Sequence, residues 1–141
     1  MDTSEQYIKM CDCPEIQEQW KPEKGDWYQL GIKIDRSPSI CILGCHWNKC
    51  SGCRAEVESL KKECIWLPRQ DQIQKIMKYL SLWELMYGFW KYIQDLNYLG
   101  TKPDEYLIKN FNSMEQLWLA FYMKEKHNKV WDGENWKINK R

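Results

Sequence analysis

The stretch Trp27-Tyr-Gln-Leu-Gly-Ile-Lys-Ile-Asp35 decides the fold class of this chain. Apolar side chains at positions 28, 30, 32 and 34 alternate strictly with polar or small ones at positions 29, 31, 33 and 35. A period of two residues is typical of a β-strand, because successive side chains of a strand point to opposite faces of the sheet. The stretch therefore predicts one strand of a sheet that buries one of its faces.

Three later segments supply partners for this strand. Ile40 and Ile42 begin a second strand after the turn at 36–38, and the alternation over 55–59 predicts a third. Cys64-Ile-Trp-Leu67 predicts a fourth strand, which ends at Pro68. Short connections between consecutive strands favour antiparallel pairing. We predict an antiparallel meander of three to four strands over residues 27–67.

Helical patterns lie on both sides of the predicted sheet. Residues 4–20 predict an N-terminal helix that Pro14 interrupts, since proline cannot donate a helical hydrogen bond, and Asp12 is the expected cap of the restart. Beyond the sheet, a period of 3.6 residues predicts helices over 73–80 and 82–93. The apolar face predicted for the second of these comprises Leu82, Leu85, Met86, Phe89, Trp90 and Ile93.

The C-terminal segments carry two local signals. Ser113-Met-Glu-Gln116 is a capping box that begins a further helix, and an Asp-Gly turn between Trp131 and Trp136 predicts a short hairpin. We therefore predict an α+β fold in a single domain over 1–141. Its parts are an N-terminal helix (4–20), a small antiparallel sheet with a cysteine loop (27–67), a half of about three helices (69–128) and a terminal hairpin (129–137).

Composition excludes several classes of protein. Lys and Arg number 21 against 20 Asp and Glu, so no overall field attracts nucleic acid or an anionic membrane. Aromatic residues make up 14% of the chain, including nine Trp, which indicates a globular fold. The polar start predicts no signal peptide, and no apolar run reaches the roughly 18 residues of a membrane span. We expect an intracellular protein with reduced thiols.

The only concentrated chemistry is the sequence C-I-L-G-C-H-W-N-K-C-S-G-C over residues 41–53. The C-x2-C spacing at its end is that of a metal knuckle, in which one tight turn aims two thiolates at a tetrahedral ion. Cys41, Cys45, Cys50 and Cys53 are the predicted ligands of a structural zinc, with His46 or Cys64 as alternatives. The other interpretation is plain burial of the thiols in a hairpin.

The aromatic and basic residues predict two kinds of contact. Five tryptophans are candidate anchors for a protein partner: Trp20, Trp27, Trp47, Trp131 and Trp136. Arg54, Lys61, Lys62 and Arg69 are the candidate cations for nucleic acid, although acidic neighbours favour solvated faces. The chain carries no paired-carboxylate signature, phosphate loop, dinucleotide fingerprint or nucleophile elbow, so we predict a protein that is not an enzyme.

Four segments carry a resemblance to a known family: Trp20-Lys-Pro-Glu-Lys-Gly-Asp-Trp27, Ile65-Trp-Leu-Pro-Arg-Gln-Asp-Gln-Ile-Gln74, Ser113-Met-Glu-Gln-Leu-Trp-Leu-Ala-Phe-Tyr-Met-Lys-Glu-Lys126 and Val130-Trp-Asp-Gly-Glu-Asn-Trp136. Together with the opening Tyr-Ile-Lys-Met, they resemble a family of small proteins of phages and prophages in Gram-positive bacteria. The cysteine cluster is not part of that family's pattern, so a metal would be a local addition to the sheet.

The resemblance implies a phage accessory protein made in the host cytoplasm. Such proteins act by binding a host or phage protein, for example as an anti-CRISPR-like or other inhibitor of a host defence system. The alternative is a nucleic-acid-binding accessory in phage replication or regulation. The resemblance brings no catalytic residues with it.

Overall fold

The computed structural model describes residues 1–30, 40–44, 61–62, 64–97 and 110–140. The chain divides into two compact units: an N-terminal unit, Asp2–Arg69, and a C-terminal unit, Gln70–Arg141 with Met1. The boundary falls where the predicted sheet gives way to the predicted helical half. The α+β class is confirmed, because helices accompany a three-stranded antiparallel sheet and a two-stranded hairpin. The strand predicted at 55–59 lies outside the described residues.

The N-terminal unit begins with two short helices, α1 (Glu5–Cys11) and α2 (Pro14–Gln17). Ser4 precedes α1, and its hydroxyl accepts a hydrogen bond of 3.2 Å from the amide of Tyr7, which would otherwise lack a partner in the first turn. The predicted break at Pro14 is confirmed. The predicted cap is wrong: Cys13 precedes α2, because Asp12 still ends α1 and proline occupies the first helical position.

Three strands form the sheet of this unit: β1 (Trp27–Leu30), β2 (Ile40–Ile42) and β3 (Cys64–Leu67). Their order is β2-β1-β3, with both pairings antiparallel. Antiparallel pairing is confirmed, but the meander order is not found among the described strands, since β3 pairs with β1 and not with β2. As the central strand, β1 buries Gln29 as well as Tyr28, so the half-buried strand predicted from alternation is wrong at that residue.

One face of the sheet carries an aromatic stack. Tyr28 lies opposite Cys41 on one side and Trp66 on the other, and directly opposed residues share a face. The ring of Trp20 stacks on Trp66 with 6.3 Å between centroids and 4° between planes. Its indole N–H donates to the buried carboxylate of Asp26 at 2.9 Å. The loop between the helices and β1 is thereby fixed to the core.

The outer edge of β3 is closed by the side chain of Gln17. Its Oε1 accepts from the amide of Trp66 at 2.9 Å, and its Nε2 donates to the carbonyl of Trp66 at 3.1 Å and to that of Cys11 at 2.8 Å. Unpaired N–H and C=O groups on a sheet edge invite pairing with another chain, and here a side chain satisfies them instead. The hydroxyl of Tyr7 also donates to the carbonyl of Pro68, which joins α1 to the end of β3.

The C-terminal unit contains α3 (Gln70–Ile76), α4 (Leu82–Asn97), α5 (Met114–His127), β4 (Lys129–Trp131) and β5 (Trp136–Ile138). The capping box is confirmed: the Ser113 hydroxyl accepts from the amide of Gln116 at 3.2 Å. The Gln116 side chain in turn accepts from the amide of Asn112, at 2.9 Å. The terminal hairpin is also confirmed, with the rings of Trp131 and Trp136 in edge contact at 5.1 Å.

An aromatic cluster between α4 and α5 forms the core of this unit. The rings of Phe89 and Trp118 stack with 4.0 Å between centroids. The fully buried Phe121 lies 5.5 Å from Phe89 and 5.4 Å from Tyr92. The strong burial of α5 follows from its apolar residues on nearly all sides, which suit a central helix.

The apolar face predicted for α4 is wrong in part. Leu85 is buried as predicted, but the other buried residues are Tyr92 and Leu96, while Leu82, Met86 and Trp90 are exposed. The helix carries apolar residues on two stripes, and the inward one follows positions 85, 89, 92 and 96. Across the described ranges, no helix is both long and apolar enough to cross a bilayer.

Candidate functional site

The predicted metal ligands fall partly within the described residues. Cys41 and Cys64 are both buried on the same face of the sheet, but β1 runs between them, with Tyr28 opposite Cys41 and Leu30 opposite Cys64. Two strand spacings place their backbones roughly 10 Å apart. The register therefore places β1 between Cys64 and Cys41, and Cys64 as an alternative zinc ligand stays a prediction.

The remaining ligand candidates, Cys45, His46, Cys50 and Cys53, lie outside the described residues. Within the described ranges, no three His, Cys, Asp or Glu side chains cluster as metal ligands would. Cys11 belongs to no predicted site, and its burial raises the pKa of its thiol well above the ordinary value. Such a thiol is a poor nucleophile, because the thiolate is the form that attacks. The zinc site at residues 41–53 stays a prediction.

The five predicted tryptophan anchors occupy different environments. Trp20 and Trp131 are 1% and 2% exposed, so a partner cannot reach them on the folded surface. Their rings belong to the core of each unit. Trp27 and Trp136 are half-buried, and Trp47 lies outside the described residues. The structure thus brings no pair of these five together as an exposed contact surface within the part of the chain that it describes.

The predicted cations are also divided. Lys61 and Lys62 are exposed, whereas Arg69 is half-buried and donates to the carbonyl of Gly25 at 3.1 Å. Arg69 therefore supports the loop before β1. Arg54 lies outside the described residues. Within the described residues, the exposed cations of this set are therefore Lys61 and Lys62 alone.

Sequence reasoning missed an exposed aromatic surface on α4. We call it the outer face of α4 and define it as Trp83, Met86, Tyr87 and Trp90. Trp83 is 78% exposed, Trp90 57%, Tyr87 54% and Met86 47%. The rings of Tyr87 and Trp90 stack on each other with centroids 6.0 Å apart. This face presents large rigid rings to solvent, and such rings are the commonest anchors of protein interfaces.

The helix is held with this face outward by its opposite side. Leu85, Tyr92 and Leu96 enter the core, and Phe89 stacks on Trp118. Gly88 has no side chain where α4 meets the fully buried Phe121. The signal that could have revealed the outer face was the spacing of Trp83, Tyr87 and Trp90 at i, i+4 and i+7, a second stripe on the same helix.

The outer face has a charged border on one side. Glu84 and Lys91 are exposed and lie seven residues apart, two full turns along the same flank. The arrangement can bind an apolar surface with charges beside it.

Comparison with protein-family models, curated proteins and solved structures finds no match to this chain.

Proposed function

We propose that this chain is a non-enzymatic accessory protein of phage origin that binds a host or phage protein through the outer face of α4. The observation that carries this proposal is the exposure of Trp83 and Trp90 on a helix whose opposite side is buried. Covering the apolar surface of an exposed indole ring is favourable by about 25 cal/mol for each Å² that is removed from water, so these rings favour contact with a partner. Rings fixed by a helix also lose little conformational entropy on binding.

The phage origin rests on the sequence resemblance, and so does the host cytoplasm as the place of action. Inhibition of a host defence system, anti-CRISPR-like or other, is the most specific form of this proposal. An inhibitor of this kind needs a contact surface and no catalytic group. An exposed aromatic stripe on a rigid helix meets that requirement.

The test compares tagged wild-type protein with the double variant Trp83→Ser, Trp90→Ser. We expect wild-type protein isolated from infected host cells to retain a defined host or phage protein, which then binds again when both are purified. The double variant should lose that binding by at least about tenfold, as truncation of interface anchors commonly does. Binding is measured by calorimetry on the purified pair.

Ile138→Ser is the matched control. Ile138 is 68% exposed on β5, so its replacement removes a similar exposed apolar group away from α4. The control should bind like wild type. Recovery of no partner above background, or equal binding by the double variant, would contradict the proposal.

A nucleic-acid-binding accessory is the second candidate, and the exposed Lys61 and Lys62 support it. It predicts binding of short DNA or RNA that weakens steeply as salt rises, because phosphate contacts release counterions. A gel-shift titration at low salt, with Lys61→Gln, Lys62→Gln as the comparison, separates the two candidates. No shift at low salt excludes this one.

A further inference from the structure

The aromatic rings of the outer face of α4 lie on a line that has the spacing of a coiled-coil seam. Trp83, Tyr87, Trp90 and Gln94 follow one another at intervals of four, three and four residues, which keeps them on one line along a helix. One flank of this line carries Glu84 and Lys91. The other carries Met86 and Ile93, in the equivalent positions seven residues apart. The stripe therefore has both the core and the two borders that a second helix needs.

The two charges of this flank, Glu84 and Lys91, can pair with the same two residues of a second copy that runs in the opposite direction. In an antiparallel pair of identical helices, residues on the same flank face each other across the seam. With the pair centred near Tyr87, Glu84 of one copy lies opposite Lys91 of the other, and the reverse contact repeats it. Trp83 of each copy then lies beside Trp90 of the other. A parallel pair would instead place the flank of Glu84 and Lys91 against the flank of Met86 and Ile93, so neither charge would gain an opposite charge on the other copy.

The exposed area is also of the right size for a reversible contact. An aromatic side chain buries roughly 150–250 Å². At exposures of 78%, 54% and 57%, Trp83, Tyr87 and Trp90 offer roughly 400 Å² of ring surface per copy. A stable interface buries about 800 Å² per partner, so the rings supply about half of it. Met86 and the stems of the flanking charges extend the contact, and the expected association lies in the weak, micromolar range.

We propose that a second copy of this chain covers the outer face of α4, in an antiparallel α4 pair with two-fold symmetry. Isologous contacts of this kind are the commonest in homodimers. Since the same face is assigned to the partner under the proposed function, binding of that partner and self-association exclude each other. Only this last clause rests on the proposed function.

The test is the oligomeric state of the purified full chain, measured by sedimentation equilibrium from about 1 µM to several hundred µM, a range that brackets micromolar association. We expect a monomer–dimer equilibrium. Trp83→Ser, Trp90→Ser should leave the protein monomeric over this range, and Ile138→Ser should leave the equilibrium unchanged. Circular dichroism checks the fold of each variant, and all the substituted side chains are exposed.

A charge exchange tests the antiparallel register. Glu84→Lys or Lys91→Glu alone places like charges together twice per dimer and should weaken association by about tenfold. The double variant Glu84→Lys, Lys91→Glu restores opposite charges and should restore wild-type association.

A monomer at every concentration would overturn the proposal, and so would a dimer that survives the loss of Trp83 and Trp90. Failure of the double charge variant to recover would overturn the antiparallel pair. A monomer whose partner binding still depends on Trp83 and Trp90 would refute the self-association and leave the proposed function standing. Self-association without recovery of any other partner would refute the proposed function and leave the self-association standing.

Discussion

Gln17 joins three backbone groups through one amide. Its oxygen accepts from the amide of Trp66 while its nitrogen donates to the carbonyls of Trp66 and Cys11. A primary amide is the only side-chain group that offers an acceptor and two donors with this planar spacing. Gln17 therefore replaces a neighbouring strand at the edge of β3 and also links that edge to the end of α1.

Gln17→Glu should destabilise the N-terminal unit by about 1–3 kcal/mol, since two carbonyls lose their donor and a carboxylate oxygen faces them. Urea unfolding measures the loss. Gln19→Glu is the control, because Gln19 is exposed and close in sequence, and its cost should stay within about 0.5 kcal/mol. Equal stability of the two variants would show that the three hydrogen bonds contribute nothing.

Asp132 is the acceptor on which the terminal hairpin depends. The Lys137 ammonium, 2.5 Å from its Oδ2, lowers the pKa of the Asp132 carboxyl well below its usual range. The backbone amides of Asn135 and Glu134, at 2.7 and 2.9 Å from Oδ1, lower that pKa further. Reciprocally, Asp132 raises the pKa of Lys137.

The hairpin should therefore lose stability in acid. A depressed carboxyl pKa means that its contribution is complete above the ordinary Asp pKa of about 3.9 and is lost as the pH falls through the lower folded pKa. Carbon NMR of the Asp132 carboxyl should give a midpoint below that of an unfolded peptide. In Lys137→Gln the midpoint should rise. A wild-type midpoint at or above about 3.9 would contradict this account.

At the scale of elements, the approach of α4 to its neighbours depends on Gly88. A Cβ atom at this position would lie 3.0 Å from the Tyr79 hydroxyl oxygen and 3.2 Å from Cζ of Phe121. Both distances are tighter than ordinary contacts, and Phe121 is fully buried at the centre of the aromatic cluster. These neighbours must shift by a few tenths of an ångström to admit even a Cβ atom, and valine adds two further methyl groups.

Gly88→Val should therefore destabilise the C-terminal unit by about 1–3 kcal/mol through overpacking. Helix propensity alone predicts the opposite sign, because glycine is a worse helix former than valine. Asp95→Val is the control, since it places valine at an exposed position of the same helix. Thermal unfolding of both variants decides between packing and propensity: a Gly88→Val protein as stable as wild type would exclude the packing account.

The elements that the sequence predicts well are those set by local chemistry. The capping box at Ser113 needs only neighbouring residues, and so does the Asp-Gly hairpin. The inward stripe of α4 could not be predicted, because Trp90 and Tyr92 are comparable aromatics and only the neighbouring α5 determines which enters the core. The position of β3 beside β1 depends on contacts far apart in sequence, which periodicity does not contain.

At the scale of the whole molecule, the candidate site was the least predictable feature. Tryptophans chosen from sequence include two that form the core, because apolar character alone does not separate an anchor from a core ring. Only the exposed fractions of the α4 side chains in the folded structure distinguish its outer face from its buried one. The cysteine pattern, by contrast, is a local signal within residues 41–53. The zinc prediction can therefore be tested without reference to how the rest of the chain packs.

Elemental analysis of protein purified without chelators tests the zinc prediction. We expect about one equivalent, and less than about 0.2 equivalents would contradict a structural site. Cys13→Ser is the control, since Cys13 lies outside the predicted ligand set. Chelation should loosen the residues around Cys41 and leave the C-terminal unit intact, because its aromatic core does not depend on metal. Hydrogen exchange resolved by residue measures that difference.

The hydrogen bonds that tie the N-terminal helices to β3 have a consequence for synthesis. The Tyr7 hydroxyl and the Pro68 carbonyl are separated by 61 residues, and Gln17 and Trp66 by 49. At roughly 5–20 residues per second, a ribosome needs about 3–12 seconds to add Pro68 after Tyr7. During that interval the nascent helices lack the strand that completes them. Chaperones that bind nascent chains would find the unpaired groups of this segment accessible during that interval.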